Sequence, residues 1–114
     1  MGSHAAPARP EVTASHFPNY HPNPEHSVRY GTNWTEWDLI RSAKPRFPGQ
    51  AQPKVPSWSY EDESRPEVMA RKIAAADAHG VTTFVFYWYW YGTNRFLERG
   101  LEQGFLNASN SARL

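Results

Sequence analysis

The chain has 114 residues, with 12 basic against 11 acidic side chains, a formal net charge of +1 and no cysteine. That length holds one small domain, and the balanced charge excludes the electrostatic footprint of a nucleic-acid binder or of docking on an anionic membrane. Without cysteine there are no disulfide staples, thiol nucleophiles or thiolate-held metals.

Residues 1–11 read as a disordered lead-in or cloning scar. Met1-Gly2-Ser3-His4 lacks the apolar segment of a secretory signal peptide, and no stretch approaches the roughly 20 apolar residues of a spanning helix, so the sequence assigns no compartment. All 10 prolines lie at or before Pro66, which predicts a loop-rich first part and uninterrupted regular structure afterwards. Val12 to Phe17 is a strand candidate ended by Pro18, and Asn19 to Arg29 reads as loop. Asn33-Trp34-Thr35-Glu36 resembles a capping box, with Asn33 as cap and Glu36 reaching back, ahead of a short helix from Trp34 to Ser42. Pro45 to Tyr60 reads as an extended surface loop.

Ser64-Arg65-Pro66-Glu67 is a second helix start, with Ser64 as cap and Pro66 in the first turn. Met69, Ile73 and Ala76 then recur at helical spacing, and His79-Gly80 supplies the end. Val81 to Trp90 is apolar on both faces. A strand buried on both sides reads this way, in a parallel sheet or barrel covered by helices. Tyr91-Gly92-Thr93-Asn94 turns the chain into a last amphipathic helix carrying Phe96, Leu97, Leu101 and Phe105, weakened by Gly100 and Gly104. The order amounts to about two βα units.

The strand end Tyr87-Trp88-Tyr89-Trp90-Tyr91 carries the most chemical information. Strand alternation puts Phe84, Phe86, Trp88 and Trp90 on one face and Val85, Tyr87, Tyr89 and Tyr91 on the other. In α/β folds ligands bind beyond the carboxyl ends of parallel strands, where the aromatics here turn polar-tipped. Flat indole and phenol faces cover the C–H surface of a sugar, while their NH and OH groups bond its hydroxyls. Core packing is the other reading, favoured for Phe84, Phe86 and Tyr87, while Tyr89 and Trp90 are assigned to ligand.

Trp34-Thr35-Glu36-Trp37 places a carboxylate between two indoles, as a glycosidase acid would sit, but a capping role with no catalytic part is the favoured reading of Glu36. Glu61, Asp62 and Glu63 read as a solvated run. His16, His21 and His26 are separated by prolines and form no metal site; His21, just past the first strand, is either a ligand-binding histidine or an ordinary loop residue. The chain has no phosphate-binding glycine loop, GxGxxG, GxSxG or HExxH, and no cofactor is implied.

Phe17-Pro18-Asn19-Tyr20-His21-Pro22-Asn23-Pro24-Glu25 resembles the "lPqfHPipEN" segment of the WbsX-like, glycoside hydrolase family 99-like proteins. Gly31-Thr32-Asn33-Trp34-Thr35-Glu36-Trp37 resembles their "G-f-T-E-W" signature. Ala43 to Gly49, Gln52-Pro53, Val55-Pro56, Pro66-Glu67-Val68 and the aromatic strand before Arg95-Phe96-Leu97-Glu98 follow in the same order. Departures are Ser15-His16 where an aromatic is usual, Asn19 for glutamine, and His26 for the asparagine after the glutamate.

The resemblance implies an α/β fold, the N-terminal and incomplete part of a (β/α)8 TIM-type barrel over residues 12–114, acting on carbohydrate. A complete barrel takes about 250 residues, so the chain is expected to be less than half of one. Relatives include endo-α-mannosidases, and others described as glycosyltransferases of polysaccharide or lipopolysaccharide assembly. By position His21, Trp34, Glu36, Trp37, Tyr89 and Trp90 would line or support the sugar site, with the catalytic carboxylates on later strands. The expectation is thus a fragment of a glycoside hydrolase, inactive alone. The alternatives are a glycosyltransferase, a non-catalytic sugar-binding module, or a truncated reading frame with no function of its own.

Overall fold

A computed structural model describes residues 8–114. Most of the expected lead-in, residues 1–7, lies outside the described residues, while Glu11 accepts a hydrogen bond from the Thr83 hydroxyl (2.9 Å). The first strand, β1 (Thr13–His16), pairs in parallel with β2 (Thr83–Phe86), in register from Thr13 opposite Thr83 to His16 opposite Phe86. Parallel partners need a crossover, and α3 (Pro66–Ala78) supplies it.

Two short helices precede that crossover. The segment expected as loop contains α1 (Pro24–Tyr30), capped by Asn23, whose side-chain oxygen accepts from the amides of Glu25 (3.0 Å) and His26 (3.2 Å). Asn-Pro-Glu is a cap, a proline at the first helical position and an acid in the first turn, so the start signal was present in the sequence. The next helix, α2 (Glu36–Ser42), begins two residues later than expected. Asn33 instead takes a left-handed φ of 59°, and Thr35 becomes the cap. The Thr35 hydroxyl accepts from the Trp37 amide (3.2 Å), and the Asp38 carboxylate accepts from the Thr35 amide (2.8 Å). Asp38 therefore does the work expected of Glu36.

Helix α3 starts at Pro66 without a side-chain cap, because the Ser64 hydroxyl is turned onto Asp62 (2.6 Å). It ends as expected. Gly80, at φ 82°, bonds back to the Asp77 carbonyl and the Val81 amide reaches the Ala76 carbonyl, closing a Schellman turn. Met69 and Ile73 are fully buried against Ala108, with Phe84, Phe86 and Phe105 packed around them. Only this side of β2 is covered; Val85, on the other side, stays 52% exposed.

The long strand expected over Val81–Trp90 is two strands. After Phe86 the chain leaves the parallel pair and forms a hairpin of β3 (Tyr89–Tyr91) and β4 (Asn94–Phe96), turning at Gly92 with φ 59°. The expected helix around Phe96 is displaced, because Phe96 pairs with Tyr89 across the hairpin and Leu97 takes φ 58°. Helical structure resumes as a π-helical turn (Gly100–Phe105), followed by a 3-10 turn (Ser111–Arg113). The two glycines that weaken a regular helix are here sites of close approach. A Cβ on Gly104 would collide with the Glu63 carbonyl, and one on Gly100 would meet Pro18 Cβ at 3.0 Å.

Candidate functional site

A cavity of about 470 Å³ opens where the end of β1, helix α1, the start of α2 and the hairpin meet. Its size falls in the range of small-ligand sites, about 300–1,000 Å³. The rings around it form a connected wall. Trp34 lies 4.7 Å from Tyr30 and stands edge-on to His26 at 5.1 Å; His26 is 5.1 Å from Phe96. Phe96 in turn faces Tyr89 at 6.2 Å, and Tyr89 is edge-on to Phe17 at 6.4 Å. Among the described residues Glu36 is the one carboxylate lining this cavity. The Asn19 amide donates to it, and Asn19 is itself buried. Because Asp38 closes the capping box, Glu36 is held at the first position of α2 without being consumed by the cap.

Residues 12–112, which include every residue lining this cavity, match the family described as Glycosyltransferase WbsX. The chain belongs to the WbsX family. A relative described as Uncharacterized protein WxcX, from Xanthomonas campestris pv. campestris (strain B100), is 32% identical over 93 residues, 81% of this chain. The WxcX protein of a second strain of that pathovar matches with the same figures. The aligned part of the chain spans 13% of the length of these relatives. No solved structure matches the chain significantly.

Of the residues singled out in the sequence, this WbsX-family chain brings Trp34, Glu36 and Tyr89 to the same cavity. Trp90 faces an adjoining one, 61% exposed, with its indole N–H donated to the Gly92 carbonyl at 2.8 Å. Trp37 points elsewhere. Its indole N–H donates to the Glu61 carbonyl (2.8 Å) and its ring packs on Tyr20 and Tyr60. His21 is fully buried and is not among the residues lining the Glu36 cavity; both ring nitrogens lack a hydrogen-bond partner among the described residues. Burial holds its pKa below the usual histidine value, against the opposing pull of Asp62 and Glu63.

Sequence reasoning missed Phe17, Asn19, His26, Tyr30 and Phe96. Two of them had a signal: once Asn23-Pro24-Glu25 is read as a helix start, His26 and Tyr30 fall one turn apart on the same face.

The acidic run is not solvated throughout. Glu63 is 1% exposed, paired with Lys72, and its Oε1 lies 3.2 Å from His16 Nε2. Burial pushes the Glu63 pKa up, but the adjacent His16 and Lys72 outweigh it and hold the carboxyl below its usual range. The Tyr20 pKa is raised, by burial first and then by the charges of Glu36 and Glu63. Among the described residues no group of three or more His, Asp or Glu side chains is arranged to hold a metal ion. No described helix is long and apolar enough to cross a membrane.

Proposed function

We propose that this chain supplies one wall of a sugar-binding site in a longer protein that acts on glycosidic bonds. The observation that carries the proposal is the ring-lined cavity with Glu36 at its edge, free of the capping role. Aromatic faces take the C–H side of a pyranose, and a carboxylate accepts strong hydrogen bonds from its hydroxyls.

The architecture we infer is the N-terminal βα portion of a (β/α)8 barrel. Three observations support it. The β1–β2 pair is parallel, with α3 across one face, and parallel sheets are ordinarily covered on both. Val85 and Tyr87 remain open on the uncovered side. The radius of gyration is 18.1 Å, against about 13 Å for a compact domain of 100 residues. In such a barrel the cavity lies at the carboxyl ends of the strands, where barrel enzymes place their sites.

For the reaction of the whole protein, glycoside hydrolysis requires a second carboxylate flanking the bond, which other parts of the longer protein would contribute. Glycosyl transfer is the second reading, favoured by the family's description. Calorimetric titration of the chain with neutral oligosaccharides tests the site. Losing a charged hydrogen bond of about 1.5–3 kcal/mol, Glu36→Gln is expected to bind roughly ten- to a hundredfold more weakly with an unchanged circular dichroism spectrum. Trp34→Ala should weaken binding comparably. Wild-type affinity in both variants would refute the assignment.

A further inference from the structure

The cavity at Glu36 adjoins two others around the hairpin. It shares His26 and Phe96 with a second cavity, and that one shares Glu25 with a third, of about 380 Å³. The third differs in chemistry. Trp90 offers a ring face already fixed in place, because its N–H is spent on Gly92 and Trp88 packs beside it at 5.6 Å. Asn23, Glu25, Thr93, Asn94 and Glu98 line the same cavity. Asn23, 4% exposed, lines the cavity, and its side-chain oxygen caps α1. The lining cation, Arg95, is engaged by Glu102. Two carboxylates, Glu25 and Glu98, therefore line the cavity with no ion pair of their own among the described residues, and Arg29 lines the connecting cavity.

Resting on the function proposed above, we propose that this third cavity is an outer subsite for a sugar residue without negative charge, neutral or amine-bearing. The ligand is then an oligosaccharide spanning the seam between α1 and the hairpin. A neutral pyranose stacks on Trp90 and donates its hydroxyls to the Glu25 and Glu98 carboxylates. An ammonium group gains further by attraction, whereas a uronate is repelled by Glu25 and Glu98.

Titration of the full chain with trimers of mannose, N-acetylglucosamine, glucosamine and galacturonic acid tests this directly. The best neutral or cationic trimer is expected to bind at least about tenfold more tightly than the galacturonate trimer. The Glu25→Gln/Glu98→Gln double variant, isosteric and so fold-preserving, should bring that ratio to about twofold. Trp90→Ala should make a trimer bind no better than its monosaccharide. A galacturonate trimer that binds as tightly as the others, or a ratio unmoved in the double variant, overturns the outer subsite alone, provided Glu36→Gln still weakens binding. Absence of binding by every trimer to the folded chain overturns both this subsite and the sugar-binding reading on which it rests.

Discussion

Replacing Gly104 with alanine is expected to lower stability by about 3 kcal/mol, the upper end of the cost of forcing extra volume into a packed interior. The added methyl group would collide with the Glu63 carbonyl and sit 2.8 Å from Met69 Cγ. Neither neighbour can yield cheaply. Met69 is fully buried in the core, and Glu63 is tied by its amide to the Tyr20 carbonyl at 2.9 Å and by its side chain to Lys72. Gly100→Ala, facing only Pro18 Cβ at 3.0 Å, should cost less. Urea denaturation of the two variants orders them. A Gly104→Ala protein as stable as the wild type would mean that the π-helical turn does not press on the loop before α3.

The second large effect concerns the buried carboxylate. Glu63→Ala should cost about 3–5 kcal/mol, because removing one partner of a buried pair strands the others; here Lys72 loses its counter-charge and His16 the carboxylate beside it. The pH dependence separates this cluster from His21. Glu63 has its folded pKa below the ordinary glutamate value of 4.5, so its contribution is present above that pH and is lost as pH falls through the folded value. His21 is also lowered, from 6.5, so protonation favours the unfolded chain and stability declines as pH drops below about 6.5. Denaturation between pH 7.5 and 3 should show both losses in turn. His21→Gln should flatten the upper one and Glu63→Gln the lower one. A stability profile that rises on acidification would contradict both assignments.

Helix α3 was legible because its stripe, its proline start and its glycine end all agree locally. So was the parallel order of β1, α3 and β2, along with three of the cavity residues, Trp34, Glu36 and Tyr89. Apart from α1, whose cap, proline and first-turn acid stand in the sequence, the errors come from turns and contacts that the local pattern does not determine. Asn33 and Thr35 are both good caps with an acid three residues on; the choice falls to Thr35 because Asn33 adopts a left-handed turn. Glu63 belongs to a run that reads as solvated until His16 on β1 and Lys72 on α3 surround it. The aromatic strand has no local mark of its break, since the hairpin depends on Phe96 meeting Tyr89 and His26. Trp37 shares a helix with Glu36 yet turns away, because adjacent helical residues do not face the same side.

That division of the aromatics gives the account its most direct test. Two groups of rings are separated on the molecule: Trp34, Tyr30, Tyr89 and Phe96 around Glu36, and Trp37, Tyr60 and Trp58 beneath Arg41 and Arg71. Chemical-shift mapping by heteronuclear NMR, with the chain titrated by a neutral oligosaccharide, compares them in one experiment. The account predicts shifts at the Trp34 indole and at the amides of Glu36 and Tyr89, with the Trp37 and Trp58 indoles unmoved. Shifts confined to Trp37 and Trp58 would contradict it.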